Sequence, residues 1–380
     1  MRPGPVMSGA PLRVAVLGAG TVGREVVRAL LERPDDLRPA DGSSFELAAI
    51  AVRDMARAAG AGLPAGLLSD APAHLVADDE IDVIVELMGG AEPAHTLIAA
   101  ALSMGKSVVT ANKHVIAHHG PELEAIARRT GAVLRFEAAV GGGIPILGPL
   151  AGDLAANRIS RVRGIVNGTT NFILSSMTDE AHPLDYAAAL AEAQRLGYAE
   201  ADPAGDVEGL DAANKLVILA RLAFDRWLDP SEIATSPDGV DGPASPGITA
   251  VSLADQAEAR QAGRIIRLIA TAERGDTGQM AAAVLPTALP IDSALGRTSG
   301  VRNRIEVDGI PVGRVGFDGP GAGGEATSSA VLGDLLAVAR RAGSSWGSRG
   351  PARASSGEGV PRPVRDVLQT SAGIRYPIDD

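Results

Sequence analysis

The run LRVAVL at 12–17, the turn Gly18-Ala19-Gly20-Thr21-Val22-Gly23 and the segment REVVRALLE at 24–32 decide the fold. A brief β-branched run, a glycine turn and apolar side chains at helical spacing up to Pro34 read as strand, turn and helix. The first two glycines allow a tight turn and close backbone approach to a pyrophosphate, and the third lets helix pack on strand. The helix N-terminus adds positive potential. Gly18, Gly20, Thr21, Val22 and Gly23 are therefore candidate cofactor-binding residues. A βα turn holding no ligand would read similarly, so the weight comes from its place between a first strand and a first helix.

Working outward, strands are expected at 46–52 (ELAAIAV), 81–87 (IDVIVEL), 107–110 (SVVT) and 132–136 (AVLRF), with a helix over 97–104. Strands alternating with helices imply parallel βαβ units. Beyond 145 the texture changes. Helices are expected over 184–196 and 210–223 and strands at 280–285 and 304–307, which fit a mixed α+β domain. GPGAGG at 319–324 opens a helix over 327–341 whose N-terminus is expected to return to the cofactor cleft. From 343 the chain is rich in Ser, Gly and Arg without periodicity and reads as disordered. The expected organisation is a flexible leader over 1–11 and a Rossmann-type α/β nucleotide-binding domain over 12–145. A substrate and dimerisation domain follows over 146–318, then a returning helix over 319–342 and a disordered tail over 343–380.

At 380 residues, 46 % apolar, the chain is long enough for two domains. It has no cysteine, which excludes a disulfide framework, a thiolate zinc site and thiolate catalysis. A formal net charge of −11 argues against a general nucleic-acid binder. No apolar run is long enough for a membrane span, and MRPGPVMSGAP lacks the apolar stretch of a signal peptide. A cytoplasmic protein is expected.

Of 35 basic residues, 32 are arginine and only Lys106, Lys113 and Lys215 are lysine. A composition bias that replaces lysine wherever the two cations are interchangeable leaves it where a site needs a compact ammonium or a proton that can leave. Chance survival explains a leftover lysine equally well, so each must be weighed in its own motif. Lys215 closes LGYAEADPAGDVEGLDAANK at 196–215, which sets Glu200, Asp202, Asp206, Glu208 and Asp211 close together before it. Glycines and prolines make the first part a loop, and from Leu210 the pattern is helical, so Asp211 and Lys215 share a face at i, i+4. A solvated acidic loop with a surface ion pair also fits, but such a pair would work equally well with arginine. At the tip of the second strand stands Arg53, which can hold the 2′-phosphate of NADP, with use of NAD also open; an exposed surface arginine is the plain alternative.

Absences narrow the reaction. Without cysteine there is no thiohemiacetal route, no tyrosine has a lysine four residues later, and HExxH does not occur. What remains is hydride transfer with an ammonium as acid and base.

At this point the sequence resembles homoserine dehydrogenases from about Leu12 to about Arg341. The motifs are VELMGG at 85–90, GKSVVTANK at 105–113, EAAVGGGIPI at 137–146, NGTTNFIL at 167–174, LGYAEADP at 196–203, GLDAANK at 209–215 and GPGAG at 319–323. The resemblance implies NAD(P)-dependent interconversion of L-homoserine and L-aspartate 4-semialdehyde, on the shared route to threonine, methionine and isoleucine. It implies Lys215 as catalytic acid and base, Asp211 and Glu200 as substrate-binding residues, and Lys113 between substrate and nicotinamide. Gly321 joins the expected cofactor contacts. A sodium ion is implied near Glu137, with carbonyls of Val140, Gly142 and Ile144, although a plain hinge suits that turn equally. A homodimer through the second domain is implied, whereas Lys106 has no assigned reaction role. Many family members continue into a threonine-sensing domain, and the expectation here is a monofunctional enzyme without that feedback; strong inhibition by millimolar L-threonine would refute it.

Two competing readings remain. Sugar-dehydrogenase relatives also place a lysine after the fourth strand, usually as Glu-Lys-Pro, whereas this chain has Asn112-Lys113-His114. A non-catalytic dinucleotide sensor would not require Glu200, Asp211 and Lys215.

Overall fold

The computed structural model describes residues 10–236, 246–275, 278–352, 367–370 and 375–379. The chain divides into two units, residues 1–152 with 322–351 and residues 153–321 with 352–380. In the first, LRVAVL forms β1 (Leu12–Leu17), whose Val14, Ala15, Val16 and Leu17 have no solvent exposure, as a strand covered on both faces requires. With β2 (Phe45–Ala51), β3 (Leu68–Ser69), β4 (Val83–Glu86), β5 (Ser107–Thr110) and β6 (Leu134–Arg135) it builds a parallel sheet of order β3-β2-β1-β4-β5-β6. The order reverses at β1, and in such sheets the crevice beyond the carboxyl ends there is where nucleotides bind. The helices of this unit up to residue 152 are α1 (Thr21–Glu32), α2 (Met55–Gly60), α3 (Pro72–Ala77), α4 (Ala94–Ser103), α5 (Lys113–Thr130) and α6 (Leu147–Ala151). The two-residue β3 was not expected from the sequence.

The second unit is an antiparallel sheet with helices packed against it. Its strands are β7 (Arg158–Ile165), β8 (Arg264–Arg274), β9 (Met280–Pro290), β10 (Arg302–Ile310) and β11 (Gly313–Pro320), in the order β11-β10-β7-β8-β9. Its helices are α7 (Gly168–Met177), α8 (Tyr186–Arg195), α9 (Ala204–Val207), α10 (Leu210–Phe224) and α11 (Leu253–Gln261). β7, β8 and β11 escaped the sequence reading. Arg161 and Arg163 of β7 stand opposite Asp308 and Glu306 of β10, at 2.8 Å and 3.1 Å, so a charged ladder covers that part of the sheet. A strand carrying such a ladder has no simple apolar alternation.

The last helix, α12 (Gly324–Ala339), belongs to the first unit, where Val331 and Leu335 join Val26, Val27 and Leu30 of α1 in one core. The expectation of a disordered tail from 343 is corrected. Ser344, Ser345 and Trp346 are buried. The serine hydroxyls accept from Leu134 N and Phe136 N, and Ser345 N donates to Leu134 O at 3.0 Å, so the segment caps the edge of the sheet at β6. Residues 367–369 and 375–377 pair as the antiparallel strands β12 (Val367–Gln369) and β13 (Arg375–Pro377), and Asp379 bonds Arg161 and Arg163. The rest of that tail and residues 1–9 of the expected leader lie outside the described residues.

Candidate active site

The glycine turn ends β1 and opens α1. Gly18 has φ +100°, and a Cβ there would lie 2.7 Å from the carbonyl of Leu87; at Gly23 it would lie 2.0 Å from Gly18 O. Both positions therefore require glycine. Gly20 differs, since nothing stands within 4 Å of its Cβ position and no side chain caps α1. Open space thus meets the uncapped N–H groups of a helix, which fits a pyrophosphate. Thr21 and Val22 form the first turn, Thr21 exposed and Val22 half-buried. Arg53 is exposed just beyond β2, and the neighbouring Asp54 carboxylate is engaged in capping α2 through Arg57 N at 2.9 Å.

The loops after β4 and β5 are fixed by a carboxylate that sequence reasoning did not single out. Glu86, fully buried, accepts from Thr110 Oγ1 at 2.6 Å and from Met88 N at 2.8 Å. Burial pushes its pKa up. Thr110 Oγ1 in turn accepts from Asn112 N at 2.9 Å, and Asn112 caps α5 through Val115 N while donating to Gly90 O at 2.8 Å. This places half-buried Lys113 as the first residue of α5. The signal was present in VELMGG and TANK, but only the fold brings Glu86 and Thr110 side by side.

Glu137 is also engaged. It accepts from Ile146 N, Leu147 N and Gly148 N at 2.7 to 2.8 Å, which holds the start of α6. Asp334 of α12 accepts from Glu137 N at 2.7 Å and pairs with Arg135 Nε at 2.9 Å; burial first, then the Glu137 charge, raises its pKa to about 6. The carbonyls of Val140, Gly142 and Ile144 accept no hydrogen bond among the described residues. Lys106 is buried with its ammonium on Asp78 O, a structural tie.

In the second unit the i, i+4 pair read from the sequence is an ion pair. Lys215 Nζ lies 2.6 Å from Asp211 Oδ2 and 2.7 Å from Val166 O, and both side chains are about nine-tenths buried. Asn167, which sequence reasoning missed, organises the cluster. Its Oδ1 caps α7 through Thr170 N at 2.8 Å, while its Nδ2 donates to Asp211 Oδ2 at 2.8 Å and Asp206 Oδ1 at 2.7 Å. The Asn before Gly-Thr-Thr was a legible capping signal. Glu200 is exposed, and among the described residues its carboxylate joins no bond of this cluster. Gly321, at the end of β11, abuts Asn303, whose amide would lie 2.1 Å from a Cβ there.

A sequence family described as "Homoserine dehydrogenase" matches residues 145–336, and "Homoserine dehydrogenase, NAD binding domain" matches 18–137. The Corynebacterium glutamicum homoserine dehydrogenase is 41 % identical over 98 % of this chain and 80 % of the relative. The chain belongs to the homoserine dehydrogenase family. A Mycobacterium tuberculosis homoserine dehydrogenase is 43 % identical over 90 % of this chain and 75 % of its own length. Among solved structures, a homoserine dehydrogenase from Thiobacillus denitrificans superposes with TM-score 0.82 at 37 % identity, covering 91 % of this chain and 80 % of that one. A hyperthermophilic archaeal homoserine dehydrogenase in complex with NADPH gives 0.71 at 26 % identity, covering 90 % and 100 %. As a homoserine dehydrogenase the chain is an NAD(P)-dependent oxidoreductase, and its nucleotide-binding match spans the glycine turn, Glu86 and Thr110. Among the described residues no helix is long and apolar enough to cross a membrane.

Proposed function

We propose that this enzyme interconverts L-homoserine and L-aspartate 4-semialdehyde with Lys215 as the general acid and base. The observation that supports it is the buried Lys215 Nζ between Asp211 Oδ2 and Val166 O. When bound, the nicotinamide accepts hydride from the alcohol carbon or returns it to the aldehyde. In oxidation Lys215, as the free amine, takes the hydroxyl proton; in reduction its ammonium returns that proton and stabilises charge developing on the oxygen. Asp211 aims the amine, and Asn167 holds Asp211 by a neutral bond that leaves the ion pair intact. Arginine would keep the charge but could not release the proton. Glu200 is assigned to the substrate ammonium and Lys113 to the region between substrate and nicotinamide.

In this reading the first unit binds the nucleotide, through Gly18, Gly20, Thr21, Val22 and Gly23, and Gly321, just after β11, is a further cofactor contact. NADP is the preferred form, because Arg53 is exposed at the strand tip while the Asp54 carboxylate is occupied by its cap. The carbonyls of Val140, Gly142 and Ile144 suit a hard cation such as sodium, and with Glu137 committed to three N–H groups they would be its main ligands. A homodimer through residues 146–318 and a cytoplasmic location complete the proposal. Spectrophotometric NADPH formation from L-homoserine, beside Lys215→Arg, tests the mechanism. An inactive wild type with both cofactors, or an arginine variant at full rate, would refute it.

A further inference from the structure

Four of the six histidines, His95, His114, His118 and His119, lie on the neighbouring helices α4 and α5. Two of them meet face to face. His95 and His119 stack with ring centroids 3.9 Å apart and planes 16° from parallel. Carboxylates flank His95 on both sides, Glu92 Oε1 at 3.2 Å from Nδ1 and Glu122 Oε2 at 3.0 Å from Nε2. One ligand atom from each of His95, His119 and Glu122 falls within 4.8 Å of the other two. None of these residues takes part in the glycine turn, the Glu86 network or the lysine cluster.

The spacing is that of paired ligands. Glu92-Pro-Ala-His95 leads into α4 and His119-Gly-Pro-Glu122 sits on α5, and residues three apart on a helix share a face. Adjacent ligands on one ion with bonds of about 2.0–2.2 Å stand roughly 3 Å apart, which the His95 and Glu122 atoms already do. With an ion on Nε2, Glu92 would hold the proton on Nδ1, an orientation carboxylates commonly give metal-binding histidines. The ligands must also be unprotonated. Burial, and after it the neighbouring His95, lower the His119 pKa. His95 keeps less than a fifth of its side-chain exposure, while Glu122 is more than half exposed, so an ion can enter from solvent. His119 would then turn out of the stack, because an ion must lie in the plane of each imidazole it binds.

We propose that His95, His119 and Glu122, with Glu92 behind His95, form a surface site for a divalent transition-metal ion of the Zn²⁺ class that clamps α4 to α5. Imidazole donors select such an ion over Ca²⁺ or Mg²⁺. The absence of cysteine removes competing thiolates and makes the titration interpretable.

The test uses the untagged full chain, freed of metal by a chelator and titrated with ZnCl₂ by calorimetry, with Mg²⁺ as control. One ion per chain is expected, bound at least about tenfold more weakly by a His95→Gln/His119→Gln variant. Zn²⁺ should raise the Tm of the wild type and not that of the variant. The exposed substitution Glu122→Gln keeps the test decisive if the histidine variant folds poorly, and it too should weaken binding. No Zn²⁺ binding, binding equal to that of Mg²⁺, or binding indifferent to both variants would overturn the site.

Discussion

Two buried carboxylates, one in each unit, are held in opposite ways. Glu86 in the parallel-sheet unit accepts from uncharged donors, among them the Thr110 hydroxyl and the backbone N–H groups of Met88 and Gly89. Asp211 in the antiparallel-sheet unit faces the Lys215 ammonium at 2.6 Å, with Asn167 as a neutral second donor. Neutral donors leave a buried acid with a raised pKa and make it a fastener of loops. A paired ammonium keeps charge and a transferable proton in one place. The same residue class thus orders backbone in one unit and pairs with a buried ammonium in the other, where we propose that the chemistry occurs.

The contrast can be broken at its strongest point first. Lys215→Arg keeps a cation beside Asp211 but cannot give up a proton, so kcat should fall about 10²- to 10⁴-fold with the fold intact by circular dichroism. Asn167→Ala should lower kcat by roughly tenfold and stability by about 1–2 kcal/mol, since it removes both the α7 cap and the donor to Asp211. Steady-state kinetics and urea titration separate the two losses. In the other unit, Thr110→Val should cost about 1–2 kcal/mol by removing the hydroxyl donor to Glu86 Oε2 and the acceptor of Asn112 N, again by urea titration.

The smallest effect concerns pH. Glu86 has a folded-state pKa above its ordinary 4.5 because of burial. Its contribution to stability is therefore complete below that value and is lost as pH rises through the higher folded value. Glu86→Gln cannot ionise, so the stability difference between wild type and variant should shift against the wild type across that window. Denaturation midpoints measured from acid to neutral pH check this: parallel curves, or a wild type that gains on the variant as pH rises, would refute it.

What could be read from residues alone followed from local constraint. The glycine turn was legible because Gly18 and Gly23 are dictated by backbone contacts a few residues away, and the β1, β4 and β5 runs because strands buried on both faces are apolar throughout. The Lys215–Asp211 ion pair was legible through the i, i+4 spacing of the two residues. The acidic loop was not, because its spacing could not tell which carboxylate folds inward. The α9 turn brings Asp206 to Asn167 and leaves Glu200 exposed. β7 was hidden because its arginines find partners on β10 more than 140 residues later, a pairing that no local window contains. For GSSWG, composition misled, since the serines are hydrogen-bond partners for a strand end.

The serines carry one more consequence. An exposed terminal strand offers unpaired amides and carbonyls that can template a foreign strand, the first step toward aggregation. At β6, the last strand of the parallel sheet, Ser344 and Ser345 already occupy Leu134 N, Leu134 O and Phe136 N, with buried Trp346 directly after them. A few residues with no regular structure of their own therefore protect that edge, so truncating the chain before them should make the protein sticky before it makes it inactive.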